Sequence, residues 1–340
     1  MKYKLLGHTG LKVSELTLGA MTFGGKGYWT AIGTLGQQTV DEIIAKCVEA
    51  GVNFIDTANV YSEGVSEEMT GKAIRNLGLK REGLVIATKV RGKMSEDPNG
   101  IGLSRKHILH QIDESLRRLQ TDYVDLYQIH GFDSHTPLEE TLDTLDQLVK
   151  SGKVRYVGCS NLAAWQIMKA LGYSERYHLQ KFVSLQAFYT LASRDLEREI
   201  IPMLHDQKMG LMVWSPLAGG LLTGKFTREG QGDKDARRTH FDFPPVHRER
   251  LFNVLEVLRE IADEKKVSVT QLALAWLLHQ KAVTTVIIGV KNMKQLEENL
   301  RSVEVEFTPD ELTRLDEVSK LDPEYPGWMI ARMAVDRSKH

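Results

Sequence analysis

The sequence predicts an α/β fold, a (β/α)8 TIM barrel with an N-terminal β-hairpin and extended loops at the C-terminal face, from three observations. Short β-rich runs recur eight times along the 340 residues, and amphipathic helical stretches fill most of the intervals between them. Several runs are almost continuously apolar, as in parallel strands covered by helices on both faces. No Gly-x-Gly-x-x-Gly turn follows the first run, which disfavours an open doubly wound sheet.

The eight runs are the predicted barrel strands, at 16–20, 53–56, 84–88, 123–129, 154–159, 182–186, 210–214 and 283–288. Helical periodicity covers, among other stretches, 40–50, 105–119, 138–150 and 196–206. Residues 1–14 have the pattern of a hairpin that could plug the floor of the barrel.

Helix boundaries follow from capping residues and glycines. Capping boxes are predicted at Thr39, Thr136 and Thr308, since each is followed three residues later by Glu. Left-handed residues that close helices are predicted at Gly51, Gly152 and Gly210. With no convincing domain boundary, residues 1–340 are interpreted as a single domain.

Composition narrows the class of ligand. The 45 acidic and 44 basic residues nearly cancel, so no broad basic field exists for nucleic acid or an anionic membrane, and a small-molecule ligand is expected. The chain begins without a signal-like apolar stretch and contains none long enough to cross a bilayer. Cys47 and Cys159 are far apart and flanked by apolar residues, which favours buried thiols in the cytoplasm. The sequence does not decide between a monomer and a homo-oligomer.

Four residues are the candidates for catalysis. In a parallel barrel, reactive side chains gather at the carboxyl ends of the strands. Asp56 ends the second predicted strand, Tyr61 lies in the following loop, and Lys89 and His130 follow the next two strands. An ammonium group stabilises a nearby phenolate, so Tyr61 beside Lys89 could donate a proton, with Asp56 orienting the lysine and His130 holding the carbonyl oxygen. Each residue alone also has a structural interpretation, but the set of four favours carbonyl reduction.

Aromatic residues in loops after the first and fourth strands are candidates for the substrate pocket. They are Phe23, Trp29 and Phe132. Ordinary loop packing is the alternative interpretation. No metal site is predicted, because His107 with His110 and His130 with His135 both lack further ligands.

Three stretches, Gly-Val-Asn-Phe-Ile-Asp-Thr-Ala-Asn-Val-Tyr-Ser at 51–62, Ala-Thr-Lys-Val at 87–90 and Tyr-Gln-Ile-His at 127–130, resemble the aldo-keto reductase family. The resemblance covers nearly the whole chain and includes the branch of NADP-dependent oxidoreductases similar to potassium-channel β subunits. It implies NADPH/NADP+ as the cofactor, an aldehyde or ketone as the substrate, and Tyr61 as the proton donor.

The resemblance also implies a cofactor site. Ser160, Asn161 and Gln186 match the residues that hold the nicotinamide carboxamide, and Tyr189 resembles the ring that stacks on nicotinamide. Residues 214–225 resemble the loop that wraps the pyrophosphate, and 289–299 the adenosine site, where Lys291 would face the 2′-phosphate. The matching positions in these two segments are Ser215, Pro216, Leu217, Gly219, Lys225, Gly289, Lys291, Gln295, Glu298 and Asn299.

Two features depart from the family pattern. Lysine stands at 291, where many members have arginine, and Arg237 and Arg238 match no firm family position.

Two other functions stay open. One is an NADPH-binding regulatory or sensor protein with little turnover, as in the potassium-channel β subunits. The other, more remote, is a nucleotide hydrolase, because residues 219–225 fit the first seven positions of a P-loop. The eighth position is Phe226, where a P-loop has the serine or threonine that binds magnesium.

Overall fold

The computed structural model describes residues 1–228, 238 and 241–338. Its strands are β1 Tyr3–Leu5, β2 Lys12–Ser14, β3 Leu16–Gly19, β4 Phe54–Asp56, β5 Val85–Val90, β6 Val124–Ile129, β7 Val154–Ser160, β8 Ser184–Phe188, β9 Gly210–Trp214 and β10 Val283–Ile288. Strands β3 to β10 pair in parallel with their neighbours in chain order, and β10 closes onto β3. The predicted eight-stranded TIM barrel is confirmed.

Helices surround this barrel. The α-helices in the described part of the chain are α1 Gln37–Glu49, α2 Val65–Asn76, α3 Arg105–Leu119, α4 Leu138–Lys150, α5 Ala164–Tyr177, α6 Ile200–Gln207, α7 Arg248–Lys265, α8 Val269–His279, α9 Met293–Leu300, α10 Pro309–Ser319 and α11 Gly327–Ser338. A large apolar core lies between the helices and the outer faces of the strands.

The apolar runs in the sequence predicted the positions of the strands because these strands are buried on both faces. Every residue of β5, β6 and β10 is buried, including the polar ones. The observed ends differ slightly from the predicted ones: β5 continues to Val90, where it still pairs with Ile129 of β6. Lys89 therefore lies one residue before the end of its strand.

One of the three predicted capping boxes is present in the structure. At α10 the Thr308 side chain accepts from the Glu311 amide and the Glu311 carboxylate accepts from the Thr308 amide, as predicted. The prediction at Thr39 is wrong, because α1 already begins at Gln37 after Gly36. The prediction at Thr136 is also wrong, because its hydroxyl donates to Asp133 Oδ2 over 2.7 Å instead of capping α4.

Positive φ angles confirm two of the three predicted helix-closing glycines. Gly51 and Gly152 have φ of 84° and 80°. Gly210 is not left-handed; Lys208 closes α6 with φ of 53°. Gly210 begins β9 instead, where its amide donates to Val183 O.

The N-terminal hairpin closes the floor of the barrel. Strands β1 and β2 pair antiparallel, and Leu6 and Val13 are fully buried in a second apolar cluster that includes Phe54 and Met212 from barrel strands. The hairpin predicted for residues 1–14 is confirmed, and the cavity described below opens at the other end of the strands. No helix within the described ranges has both the length and the apolar character needed to cross a bilayer.

Candidate active site

The predicted quartet comes together at the carboxyl ends of β4, β5 and β6. Lys89 Nζ donates to Asp56 Oδ2 over 2.6 Å, to Thr57 O over 2.8 Å and to Tyr61 Oη over 3.4 Å. These three contacts use the three protons of the ammonium group. The His130 ring lies 5.7 Å from the Tyr61 ring, centre to centre. The arrangement gives Tyr61 a charged hydrogen-bond partner next to an imidazole.

The Lys89–Asp56 ion pair is almost completely buried, with side-chain exposures of 0% and 3%. Burial alone would lower the pKa of Lys89, but the Asp56 carboxylate and the Tyr61 hydroxyl outweigh it, and the pKa is raised. Asp56 Oδ1 accepts further hydrogen bonds from Gln128 over 3.0 Å and Gln186 over 2.9 Å. Lys89 is therefore a fixed ammonium group at neutral pH.

His130 is neutral at physiological pH. Burial, together with the positive charges of Lys89 and Arg91, lowers the pKa of its imidazole to about 3. A neutral imidazole can donate one hydrogen bond to an oxygen without adding a charge.

The lowered pKa of His130 leads to a prediction about how the free energy of unfolding depends on pH. An unfolded chain binds a proton at His130 below about pH 6.5, whereas the folded chain does not until near pH 3. Between these values the unfolded state binds more protons, so His130 makes stability fall as pH falls. On acidification from about pH 6 to pH 4, the wild type should lose up to about 1.4 kcal/mol per pH unit more than His130→Gln.

Urea denaturation across this pH range would measure the difference. His135→Gln is the matched control, because the His135 side chain is 95% exposed. Identical pH dependence in the wild type and in His130→Gln would contradict the prediction.

Tyr61 is held by an unusual backbone segment. Ser62, Glu63 and Gly64 are consecutive left-handed residues, with φ of 49°, 55° and 96°. The buried Ser62 hydroxyl donates to Phe23 O over 3.0 Å and accepts from the Gly25 amide. This strained turn ties the Tyr61 loop to the loop after β3 and leaves the Tyr61 side chain only 8% exposed.

A cavity of about 690 Å³ opens above the quartet. Of the residues proposed from the sequence, its walls include Asp56, Tyr61, His130, Trp29, Ser160, Asn161, Gln186, Ser215, Pro216, Leu217, Gly219, Lys225, Gly289, Lys291, Gln295, Glu298 and Asn299. The buried Lys89 lies beneath the wall. A cavity of this volume can hold a ligand of the size of a cofactor or drug molecule.

One part of the wall carries amide and hydroxyl groups. Ser160 ends β7, and Asn161 follows it with φ of 57°. Asn161 Nδ2 donates to His130 O over 3.2 Å, and its Oδ1 accepts from Trp214 Nε1 over 3.0 Å. Gln186, on β8, donates to Asp56. Hydrogen bonds therefore connect these polar groups to the predicted quartet.

The loop after β9 is a tight turn that contains several left-handed residues. Ser215, Ala218, Gly219 and Gly220 have φ between 50° and 99°, and the amides of Ala218, Gly219 and Gly220 donate within the loop, to Ser215 O, Ser215 Oγ and Leu217 O. Arg238 supports the loop from behind, since its buried guanidinium donates to Ala218 O and Pro244 O. Arg238 is thus a structural residue in this position, and Arg237 lies outside the described residues.

At the far end of the cavity, Lys291 precedes α9. Its amide donates to Gln295 Oε1 over 2.8 Å, and Asn292 caps the helix by accepting from the Gln295 amide. The exposed ammonium group of Lys291 forms no salt bridge with any carboxylate that the structure describes. This end therefore presents a cation beside a helix N-terminus.

Three predicted residues are not brought to the cavity. Tyr189 is buried against Trp276, with its hydroxyl donating to Glu197 over 2.6 Å. Phe23 is fully buried in the core, and Phe132 packs against Trp165. Their backbones direct these rings away from the cavity. Residue type and position in a loop were therefore not enough to predict the orientation of the side chain.

Other aromatic residues form the wall instead. Trp214, which ends β9, lines the cavity together with Tyr28, Phe241 and Phe243. Neighbouring ring centres lie 5.2 to 5.8 Å apart in the chain Tyr61, Trp29, Tyr28, Phe241, Phe243 and Trp214. The position of Trp214 at a strand end was the signal that could have identified it.

The P-loop interpretation has no structural support. Residues Ala218–Thr223 form a 3-10 turn containing left-handed glycines, and residues 225–228 are not helical, whereas a P-loop lysine starts a helix. Among the described residues, no group of three or more His, Cys, Asp or Glu side chains is placed to hold a metal ion.

Residues 15–320 match the model of the aldo/keto reductase family. The chain belongs to this family. An uncharacterized oxidoreductase of Bacillus subtilis, YrpG, is 37% identical over 94% of this chain and 96% of its own. A probable voltage-gated potassium channel subunit beta of Arabidopsis thaliana is 38% identical, over 96% and 99%. The versiconal hemiacetal acetate reductase of Aspergillus parasiticus is 33% identical, again over 96% and 99%. Family membership makes this aldo/keto reductase an oxidoreductase.

Proposed function

We propose that this aldo/keto reductase is a single-domain cytoplasmic enzyme that reduces aldehydes or ketones with NADPH. The observation that carries the proposal is the contact between the buried Lys89 ammonium and the Tyr61 hydroxyl, at the bottom of the cavity. Both cysteines are free and buried, which fits a reducing compartment.

Tyr61 is the proposed proton donor. The carbonyl oxygen gains negative charge as the bond is reduced, and the Tyr61 hydroxyl protonates it. Lys89 stabilises the phenolate left behind, while Asp56 keeps the lysine charged and in place. The neutral His130 donates a hydrogen bond to the same oxygen and orients it.

The cavity residues fit the cofactor. When bound, the reduced nicotinamide supplies the hydride. Ser160, Asn161 and Gln186 would hold its carboxamide, and Trp214, rather than Tyr189, would cover its ring. The loop after β9 and Lys225, which both line the cavity, would hold the pyrophosphate, and the residues around α9 would hold the adenosine end.

The direct test is NADPH oxidation, followed by absorbance, with a panel of aldehydes and ketones and with NADH in parallel. Turnover that prefers NADPH supports the proposal. Tight NADPH binding without turnover of any carbonyl compound would favour the second function, an NADPH-binding regulatory protein, which the 38% identity to a potassium channel subunit beta recommends as the alternative.

Lys291 should set the preference for NADPH. Lys291→Ala removes the exposed cation at the adenosine end, where a 2′-phosphate would bind. We expect the dissociation constant of NADPH to rise about 10-fold and that of NADH to stay nearly constant. Lys294→Ala, which removes a nearby exposed cation from the first turn of α9, is the matched control. An equal change for both cofactors would contradict this assignment.

A further inference from the structure

Arg91 is a cation held at the catalytic end of the cavity. It follows β5 directly, and its φ of 152° lies in a region that residues with a side chain rarely adopt. Its carbonyl accepts from the Gly102 amide over 2.9 Å. Its Nε donates to Phe132 O over 3.0 Å, which fixes the guanidinium between the loops after β5 and β6.

The guanidinium interacts electrostatically with the nearby Asp133 carboxylate. It forms no salt bridge with that carboxylate or with any other that the structure describes, and its two terminal nitrogens donate no hydrogen bond to the described residues. The nearby Asp133 accepts from the Leu103 amide and the Thr136 hydroxyl instead. Arg91 therefore lines the cavity, and its two terminal nitrogens have no hydrogen-bond acceptor in the described part of the chain.

Asp133 is the carboxylate that offsets part of the charge of Arg91. Asp56 and Lys89 neutralise each other over 2.6 Å, and the neighbouring His130 is uncharged at physiological pH. The other lysines of the described cavity wall, Lys225 and Lys291, belong to the segments proposed for the cofactor phosphates. The Arg91 guanidinium nevertheless keeps unused N–H donors in the cavity wall, which an anionic substrate could accept from.

We propose that Arg91 is a specificity-determining residue that binds a carboxylate of the substrate, so that aldehydes or ketones carrying a carboxylate are the preferred substrate class. This inference rests on the proposed reductase function. A guanidinium presents two parallel N–H groups that match a carboxylate, and its Nε contact keeps that fork oriented. The rings of Trp29 and Tyr28 in the same wall suit an apolar body between the carbonyl and the carboxylate.

The test compares 4-carboxybenzaldehyde with methyl 4-formylbenzoate, which share ring and aldehyde but differ in charge. The wild type should have the higher kcat/KM for the acid. Arg91→Gln should lower the ratio of kcat/KM values, acid over ester, by about 10- to 100-fold, chiefly through KM. Arg91→Lys should fall between, because an ammonium cannot bind the carboxylate in the same two-pronged way.

Two controls separate this role from others. Lys93→Gln removes an exposed cation that pairs with Glu96 in the same loop, and it should leave the ratio unchanged. The NADPH dissociation constant should be the same in Arg91→Gln as in the wild type; a weaker one would overturn the proposal by assigning Arg91 to the cofactor.

The outcomes distinguish the two proposals. Turnover of both aldehydes with a ratio that Arg91→Gln leaves intact overturns the role of Arg91 alone. If the wild type binds NADPH but reduces neither aldehyde nor any other carbonyl compound, the reductase function fails, and the substrate class fails with it.

Discussion

Tyr61→Phe should lower kcat for carbonyl reduction by about 10²- to 10⁴-fold, the range that a positioned general acid contributes. The substitution removes only the hydroxyl, and the ring keeps its neighbours: Trp29 at 5.2 Å, His130 at 5.7 Å and the Lys89 ammonium at 5.0 Å from the ring centre. The fold and the proposed cofactor contacts should therefore survive while proton donation is lost.

Steady-state kinetics gives kcat, and the quenching or enhancement of NADPH fluorescence gives the cofactor affinity of the same variant. Tyr177→Phe is the control, because it removes a hydroxyl from a half-exposed ring on α5. Wild-type kcat in Tyr61→Phe would eliminate this tyrosine as the donor, whereas loss of NADPH binding would point to a structural role for its hydroxyl.

Arg118→Met should reduce the free energy of unfolding by about 3 to 5 kcal/mol, because it leaves a buried carboxylate without its partner. Arg118 Nε donates to Glu67 Oε2 over 2.7 Å, with side-chain exposures of 7% and 0%. Glu67 Oε1 accepts only one further side-chain hydrogen bond within the described residues, from Thr88 over 2.6 Å. This bond does not neutralise the charge that remains.

Arg117→Met is the matched control, since Arg117 is 63% exposed and its ion pair with Glu114 is a surface contact. That variant should lose no more than about 1 kcal/mol. Urea denaturation of both variants measures the difference, and the double variant Arg118→Met with Glu67→Gln should recover part of the loss. Equal destabilisation by the two arginine variants would show that the buried pair does not contribute as argued.

Arg118 also lies beneath the Tyr61 loop. A Cβ at Gly64 would approach Arg118 Cδ to 2.8 Å, so the left-handed glycine allows the arginine to pack directly under this turn. The buried ion pair thus supports the segment that positions the proposed proton donor, and Arg118→Met should lower kcat as well as stability.

Much of the fold could be predicted because the pattern of apolar residues in the sequence agrees with the burial of those residues in the folded protein. Strands such as β5 and β10 are buried on both faces, so their apolar runs were detectable without tertiary information. The quartet was predictable for a related reason: topology alone brings the ends of adjacent parallel strands together. Thr308 was a reliable helix start because its capping box, a proline at the first helical position and the helix periodicity coincide.

The remainder depends on side-chain orientation in loops. Tyr189 and Trp214 both lie at the ends of barrel strands, but Glu197 and Trp276 hold Tyr189 in the core while Trp214 lines the cavity. Phe23 likewise serves the core. For Gly210, strand pairing overrides the helix-closing role that its sequence position indicated. In each case a contact with a residue distant in sequence decided the outcome.

The hairpin at the floor of the barrel has a kinetic consequence. Because Leu6 and Val13 close that end, the described cavity opens on the loop side, and in the proposed reductase the cofactor, substrate and product would pass the same entrance. The Tyr28–Phe241 contact brings two of the entrance loops together at 5.7 Å between ring centres. In the proposed reductase, substitutions at either ring should therefore change the rate of ligand release before they change the rate of the chemical step.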